Sequence, residues 1–399
     1  MCGFGSETPS CHSREENMSQ ESTKELTPTP EAVPPPPTGF AAFVHDVVVF
    51  DWQKQTFTAD LVFVFPVALC LAIGLGAGHP GAALIAGGGA MTVGFGSKQQ
   101  IDESRLLPMI LASFGIAFST FAGMVAGHAN AILIPLAAFW GLGYGLLTAR
   151  EAGYGWVGQQ CVVTLLVGSA FPFSARAALV RASLLLAGGA IQVLWSSLTL
   201  SLWGQLRADL RRLRYYVSAE QEALRSMFIE VSGQVKRWDI SGSVLPYALR
   251  LMVTLAISTE IYRELKFASG YWIPMTALLV LKPGIADTAS RAIARTLGTV
   301  AGAWLITILV AHIHPTPIWL AVFTVIFAWL SYATLNVNYA LFAVFITGYI
   351  VFLLALATIP EGEIALRRAV STIIGGALAL TVRLVVIWRR KKASSEAVS

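Results

Sequence analysis

The sequence predicts an all-α, polytopic membrane helix bundle of about twelve transmembrane helices, arranged as two parallel six-helix repeats. Three observations support this fold class. The chain is 55% hydrophobic and only 13% charged, with a mean hydropathy of +0.65, whereas soluble domains carry about 25% charged residues. Twelve apolar stretches are long enough, or nearly so, to cross ~30 Å of hydrocarbon. An element running from Arg to GlyGlyAla occurs in the last stretch of each half.

The apolar stretches form two groups of six, separated by a polar, basic interval. The first group predicts spans over 59–77, 80–96, 108–126, 129–148, 156–171 and 175–202. The second group predicts spans over 244–260, 271–285, 292–310, 317–335, 339–357 and 365–388. We therefore expect membrane repeats at 59–203 and 244–388, joined by a basic amphipathic linker at 204–243 that lies outside the bilayer.

The two ends of the chain have a different character from the repeats. Residues 1–38 are rich in Ser, Thr, Glu and Pro, a composition that predicts a disordered tail. Residues 39–58 place apolar side chains at helical spacing, which predicts an interfacial helix, although a helix packed on the bundle fits the same pattern. Residues 389–399 form a short polar tail. The N-terminus lacks the apolar core of a cleavable signal, so the first span is expected to direct insertion.

Lysine and arginine in the loops predict the orientation, because cytoplasmic loops retain positive charge. With the N-terminus inside, the inner side carries the basic linker together with Lys98, Arg105, Arg150, Lys282, Arg291, Arg295 and the last four basic residues. The outer side carries only Arg176, Arg181, Arg263, Lys266, Arg367 and Arg368. We therefore expect both termini and the linker to be cytoplasmic.

The last span of each half contains the repeated element. Arg181 precedes Gly188 by seven residues, and Arg368 precedes Gly375 by the same distance. Two unrelated helices that both use small residues for close packing would give the same string. An even number of spans in each half places the copies in the same orientation. The repeats are then related by a pseudo-two-fold axis along the membrane normal.

Several functional classes find no support in the sequence. The four cysteines show no metal-ligand or disulfide spacing, and no phosphate-binding loop or metalloprotease motif is present. We therefore expect no enzymatic activity, no cofactor and no metal. The net charge of +5 is concentrated at span ends, where it sets topology, so nucleic acid is not expected as a partner.

A spaced pattern in the second half points to a known family. A TyrTrp pair opens one span, which ends near a proline; an arginine followed by GlyThr opens the next, and AsnTyr precedes a later arginine and GlyGly. The residues are Tyr271, Trp272, Pro283, Arg295, Gly298, Thr299, Asn338, Tyr339, Arg368, Gly375 and Gly376. In these residues the sequence resembles the fusaric acid resistance protein-like family, which is related to aromatic acid exporters and to aluminium-activated malate transporters.

The resemblance implies efflux of small organic anions, often aromatic carboxylic acids, across a bacterial inner membrane. It covers about the last 150 residues well and the first repeat only in outline. The first repeat has His79 and Pro80 near the place of the TyrTrp pair and lacks the arginine with GlyThr. Long members of the family also carry a sizeable soluble domain between the halves, whereas this chain has a short interval.

An anionic substrate needs positive potential inside the bundle, and arginine fits a carboxylate with two parallel hydrogen bonds. The candidate substrate-binding residues are Arg250, Tyr271, Trp272, Thr276, Lys282, Arg291, Arg295, Asn338, Tyr339 and Arg368. For Lys282, Arg291 and Arg295 the alternative is a topology anchor whose side chain reaches the interface. For the TyrTrp pair it is an interfacial aromatic belt.

Candidates for proton coupling are Glu260, His312 and His314. A lone carboxylate late in an apolar run suggests function, although Arg263 follows closely and a simple interfacial ion pair fits as well. The two histidines titrate near neutral pH, but outer-loop histidines are usually only solvated.

Three functions remain open on sequence grounds. The first is a transporter that exports small organic acids, the second a passive organic-anion channel, and the third a non-transporting scaffold that binds lipid or a protein. Expected partners are small organic anions, membrane lipids, and a second copy of the chain or a periplasmic adaptor protein.

Overall fold

The computed structural model describes residues 47–200, 202–211, 244–266, 269–313, 316–356 and 361–396. The predicted tail at 1–38, the first part of the predicted interfacial helix and most of the predicted linker lie outside these residues. Of the interfacial segment, the structure describes a turn of 3-10 helix at Trp52–Lys54. Of the linker, it describes a helical stretch at 203–211.

Among the described residues, twelve α-helices position the candidate site, and we number them in chain order. The first half contains α1 (Phe57–Gly76), α2 (Pro80–Gly94), α3 (Leu107–Ala126), α4 (Asn130–Leu147), α5 (Ala152–Ser169) and α6 (Ala175–Thr199). The second half contains α7 (Val244–Glu264), α8 (Trp272–Val280), α9 (Ile285–Ile313), α10 (Pro317–Thr334), α11 (Tyr339–Ala355) and α12 (Glu361–Glu396). A 3-10 turn at Phe95–Lys98 extends α2.

The predicted class, an all-helical multi-pass membrane protein, is confirmed. Within the described ranges, eight helices are long and apolar enough to cross a membrane: α1, α3, α4, α6, α7, α9, α10 and α12. The 17-residue α11 is apolar but shorter. Many of their large hydrophobic side chains are exposed, such as Phe118, Phe139 and Trp304, as expected for helices whose outer faces meet lipid.

The predicted span at 271–285 is interrupted. Its helix, α8, has nine residues and ends at Val280, so it covers about 14 Å, roughly half of the hydrocarbon thickness. Pro283 supplies no N–H and forces the residue before it out of helical geometry. The next helix begins at Ile285, seven residues earlier than predicted. The Thr288 hydroxyl donates to Gly284 O at 2.7 Å and accepts from Lys282 N at 3.0 Å, which satisfies this irregular backbone.

Most of the contacting helix pairs occur in both halves. In the first half these are α1–α2, α1–α6, α2–α6, α3–α5, α3–α6 and α4–α5. The corresponding pairs of the second half, α7–α8, α7–α12, α8–α12, α9–α11, α9–α12 and α10–α11, are all in contact. The two most extensive contacts between the halves also correspond, because the fourth helix of each half packs on the first helix of the other: α4 on α7, and α10 on α1. In addition, α5 contacts α8.

Glycines allow the closest of these crossings. A Cβ atom at Gly188 of α6 would overlap Ala86 O of α2, and one at Gly375 of α12 would lie 2.5 Å from Ile273 O of α8. Both contacts join the sixth helix of a half to its second helix. Backbones that approach this closely gain van der Waals contact, which stabilises helix association where water supplies no driving force.

We predict that Gly188→Ala destabilises the protein by about 1–3 kcal/mol, because the added methyl group must push α6 away from α2. The measurement is the thermal midpoint of the detergent-solubilised protein by fluorescence-detected size exclusion. Gly88→Ala is the matched control, since a Cβ at Gly88 of α2 meets no atom within 4 Å. Equal midpoints for Gly188→Ala and the control would contradict the close crossing.

Candidate functional site

Two arginines are buried inside the second half. Arg368 of α12 is 1% exposed and Arg295 of α9 is 4% exposed. Arg295 lies ten residues after the start of α9, about 15 Å along the helix, and Arg368 lies seven residues after the start of α12. Both side chains are therefore well within the helices, beyond the last turn from which a side chain usually reaches the interface.

The guanidinium of Arg368 has few partners. Its Nε donates to Thr347 Oγ1 of α11 at 3.2 Å, and its Cζ lies 5.3 Å from the ring centroid of Trp272. Neither Nη1 nor Nη2 has a hydrogen-bond partner. The Nε of Arg295 is buried without a partner as well, and its charge is near enough to act on Arg368.

No described carboxylate neutralises these charges. The ion pairs among the described residues are Lys54–Asp51, Lys98–Asp60 and Arg367–Glu363, none of which includes Arg295 or Arg368. Burying an ion without an opposite charge costs several kcal/mol, and the two cations also repel each other. The cluster thus combines positive potential with free N–H donors, which is the arrangement an anion requires.

Neighbouring hydroxyl groups add further unused hydrogen-bonding capacity. The hydroxyls of Thr299, one turn after Arg295 on α9, and Ser371, one turn after Arg368 on α12, are buried without a partner. Aromatic rings close the same region, because Tyr271 and Trp272 are both buried and their ring centroids are 5.2 Å apart. The pair lies inside the bundle, so the interfacial belt considered from the sequence does not describe it.

A second group of cations lies near the ends of helices, closer to the bundle surface. Arg291 is one turn before Arg295 on α9 and places its Cζ 4.0 Å from the Tyr339 ring centroid. Arg250 lies over Tyr247 at 5.8 Å. These side chains are half-buried, and a cation over an aromatic face is attracted by the negative potential of the ring.

Three other sequence candidates have local structural contacts. Lys282 lies in the irregular segment between α8 and α9, and its backbone N–H bonds Thr288. Asn338 caps α11 by accepting from Leu341 N at 3.0 Å, and its amide donates to Val49 O at 3.0 Å. Thr276 is buried where α8 packs on α12, next to Gly375.

The proton-coupling candidates lie apart from the buried arginines. Glu260 and His312 are exposed, and His312 Nδ1 is 2.8 Å from Ile308 O of its own helix. His314 lies outside the described residues. Arg263 donates to Asn130 Oδ1 at 2.6 Å and to Gly127 O at 3.0 Å instead of pairing with Glu260.

Sequence reasoning missed a carboxylate that is buried in a spanning helix. Asp60 of α1 is 2% exposed and pairs with Lys98 at 2.9 Å. The signal was present, since Asp60 is the only acid in the predicted span 59–77, and an ionisable residue within a span is a functional candidate by default. Lys98 was counted only as a topology charge. Elsewhere in the described ranges, no three His, Cys, Asp or Glu side chains come together as metal ligands would.

Comparison with known proteins gives two kinds of similarity. Residues 255–382 match the family model described as fusaric acid resistance protein-like, and this range includes both buried arginines. Among curated proteins, the chain is 29% identical over 153 residues to the uncharacterized protein slr1298 of Synechocystis sp., and 31% identical over 152 residues to the uncharacterized protein YhfK of Escherichia coli.

These alignments cover 36% and 38% of this chain, and 20% and 22% of the two relatives. The chain therefore spans about a fifth of the length of the curated relatives it matches. No solved structure matches it. The family model confirms the resemblance predicted from the TyrTrp pair, Arg295 and Arg368: this is a multi-pass membrane protein whose second half is similar to the fusaric acid resistance protein-like family.

Proposed function

We propose that this protein is a transporter that exports small organic acids, in particular aromatic carboxylic acids, across the bacterial inner membrane. The observation that carries the proposal is the pair of buried arginines, Arg295 and Arg368, whose free N–H groups face no described carboxylate. An anion that binds between them supplies the missing charge and the missing acceptors together. Its binding lowers the electrostatic cost that the empty site carries.

The geometry suits a carboxylate. Arg368 offers Nη1 and Nη2, a donor pair whose spacing matches the two oxygens of a carboxylate. Thr299 and Ser371 offer hydroxyls that donate or accept as the substrate requires. Trp272 and Tyr271 form an apolar wall beside the guanidinium, which fits an aromatic ring attached to the carboxylate.

Access to this site from the cytoplasm would pass the second group of cations, which lies near the ends of the helices. In our proposal Arg250, Lys282 and Arg291 lie at the inner side of the membrane and raise the local concentration of organic anions. Arg291 then lies one turn before Arg295 along α9. An anion that leaves Arg291 meets the buried pair next, so the charges form successive binding positions along one path.

We further propose that α1–α6 and α7–α12 are two parallel six-helix repeats. The matching helix contacts and the equivalent close crossings at Gly188 and Gly375 support this. The repeats differ in their arginines. Arg181, at the position of Arg368, is half-buried with its Cζ 3.5 Å from the Phe173 ring centroid. The anion site would therefore belong to the second repeat, while the first supplies the surface against which it moves.

Close glycine packing alone would also suit a scaffold without transport activity. Gly123 packs on Leu165 O and Gly298 on Ala340 O, each through the third and fifth helices of its half. A scaffold gains nothing from two unneutralised buried cations, because apolar residues in their place would stabilise it. The retention of both charges therefore favours anion handling.

For the topology, we expect a cysteine at Glu103 to be cytoplasmic and one at Ser174 to face outward, because loop lysines and arginines favour the inner side at the α2–α3 loop. Both positions are exposed. The measurement is labelling of intact cells with an impermeant maleimide in a cysteine-free background. Labelling of Glu103→Cys but not Ser174→Cys would reverse the proposed orientation.

For the site, we expect Arg368→Gln to reduce transport of radiolabelled benzoate into inverted membrane vesicles by about ten- to a hundredfold at subsaturating substrate. This corresponds to the loss of a charged hydrogen bond worth ~1.5–3 kcal/mol. The same variant is expected to keep or raise its thermal midpoint, because it removes an unneutralised buried charge. A role in stability alone would lower the midpoint instead.

Arg367→Gln is the matched control for this experiment. It removes the adjacent arginine, which is partly exposed and pairs with Glu363 at 2.6 Å, a surface pair worth little. Its transport is expected to equal that of the wild type. Wild-type transport by Arg368→Gln at equal protein level would contradict the site assignment.

For Arg295, we expect Arg295→Lys to transport at a rate between those of the wild type and Arg295→Gln. Lysine keeps the charge but lacks the planar fork that binds two carboxylate oxygens. The measurement is the benzoate concentration dependence in the same vesicles, normalised to folded protein. Equal rates for all three forms would show that Arg295 takes no part in anion handling.

A further inference from the structure

We propose that the cleft between α9 and α12 binds one anionic phospholipid, with an acyl chain in the cleft and the phosphate at the guanidinium of Arg383. The cleft lies on the outer surface of the two helices that carry the buried Arg295 and Arg368. The lipid would therefore hold together the helices that carry the buried arginines. The inference goes beyond the proposed function and does not depend on which substrate is transported.

The cleft is open and has a volume of about 220 Å³. It is lined from α9 by Ile293, Thr296 and Leu297, and from α12 by Ile373, Ala377 and Leu380. Its walls are apolar apart from the Thr296 hydroxyl. From Ile373 to Leu380 it follows the helix for seven residues, about 10 Å. An apolar cavity of roughly 150 Å³ already holds benzene, so this cleft has room for a segment of an acyl chain.

Small residues form the floor of the cleft. Gly376 presents no side chain there, and a Cβ would lie 3.7 Å from both Ala292 Cβ and Thr296 Oγ1, an ordinary contact distance. The equivalent glycine of the first half, Gly189, is tightly packed instead, because a Cβ there would lie 2.7 Å from Ser113 Oγ of α3. The glycine next to Gly375 thus borders open space, whereas the glycine next to Gly188 does not.

The rims of the cleft face hydrocarbon. Ile293, Leu297 and Ile373 are 36%, 51% and 50% exposed, and Trp304, farther along α9, is exposed as well. Both helices are long and apolar enough to span a membrane, and large apolar side chains on the outside of such helices meet lipid. Whatever lies in the cleft is therefore apolar there and approaches it from within the bilayer.

A cation closes one end of the cleft. The α12 residues that line it recur at spacings of three and four, and the same stripe reaches Arg383 three residues after Leu380, about 4.5 Å farther along the axis. The Arg383 guanidinium crosses to the start of α9, where its Nη2 donates to Pro283 O. Lys282 precedes this proline, and Asp287 lies in the first turn of α9. Two cations against one acid leave this end of the cleft positive.

The α12 sequence beyond the cleft has the same sign. The helix continues to Glu396 through the four basic residues 389–392. Basic clusters at the end of a spanning helix attract anionic lipid, and a guanidinium binds phosphate through charge-assisted hydrogen bonds. A phospholipid with a negative headgroup matches both parts of the site, because its tail fits the apolar cleft and its phosphate fits Arg383. A helix of a second copy of this chain would fill the cleft but does not account for the cation at its end.

The test is native mass spectrometry of the full-length protein, which is purified in detergent, delipidated and incubated with phosphatidylglycerol or phosphatidylcholine. The two lipids carry identical acyl chains, so they differ in headgroup charge. We expect one phosphatidylglycerol to be retained per chain, about five- to tenfold more strongly than phosphatidylcholine.

Variants separate the two parts of the site. Ala377→Trp fills the cleft and should reduce retention of both lipids, whereas Ala301→Trp, at an exposed position of α9 outside the cleft, should bind as the wild type does. Arg383→Gln should remove the preference for phosphatidylglycerol. Arg383→Lys keeps the charge and should keep most of that preference. Arg367→Gln, at the opposite end of α12, is the control for a lost cation and should leave the preference unchanged.

Three results would overturn the lipid site: equal retention of the two lipids by the wild type, undiminished retention by Ala377→Trp, or an undiminished preference in Arg383→Gln. A dimer that Ala377→Trp dissociates, with no lipid retained by the wild type, would show that a second copy occupies the cleft instead. Should Arg383→Gln fail to fold, the comparison of the two lipids and the Ala377→Trp variant still decide. Because the assay contains no substrate, failure of the proposed transport function leaves its result unchanged.

Discussion

The structure depends on one electrostatic constraint: a low-dielectric helix bundle contains cations that it does not neutralise. Arg368 and Arg295 are nearly inaccessible and have no described carboxylate partner. The cost of each is several kcal/mol, a large part of the stability of an ordinary domain. Other interactions must offset it, and they do so through close packing of the helices that surround the two side chains.

That packing explains the distribution of small residues. Gly298 lies one turn beyond Arg295 on α9 and brings α9 against α11, which carries Thr347, the hydrogen-bond partner of Arg368. Gly375 lies two turns beyond Arg368 and brings α12 against α8, which carries Trp272. Each arginine is therefore followed on its own helix by a glycine that fixes the distance to a wall of the site. The glycines of the GlyThr and GlyGly elements thus hold the helices around the cluster close together.

The sequence predicted the helical class, the positions of most helices and the second-half resemblance, because apolar periodicity and length are local properties. It did not predict the break after Val280, although Pro283 was visible. A proline either ends a helix or kinks it, depending on which groups form hydrogen bonds with the freed backbone. Here the Thr288 hydroxyl of the next helix forms them. Its sequence position placed Arg368 among the charges on the outer side of the membrane. In the structure, however, its side chain is buried inside the bundle. Whether a side chain near the end of a span is buried depends on the rotation of the helix about its axis. A count of loop charges carries no information on that rotation.

Asp60 is a second charged residue whose burial the sequence does not predict. Its position near the start of the first span is compatible with an interfacial carboxylate, and only the fold brings Lys98 and the Tyr332 carbonyl to it from 38 and 272 residues away in sequence. The two charged sites differ in one respect. Arg295 and Arg368 have no described carboxylate partner, whereas Asp60 and Lys98 neutralise each other. The two sites are joined through neighbouring helices, because α10, whose Tyr332 carbonyl accepts from Lys98, packs on α11, whose Thr347 accepts from Arg368.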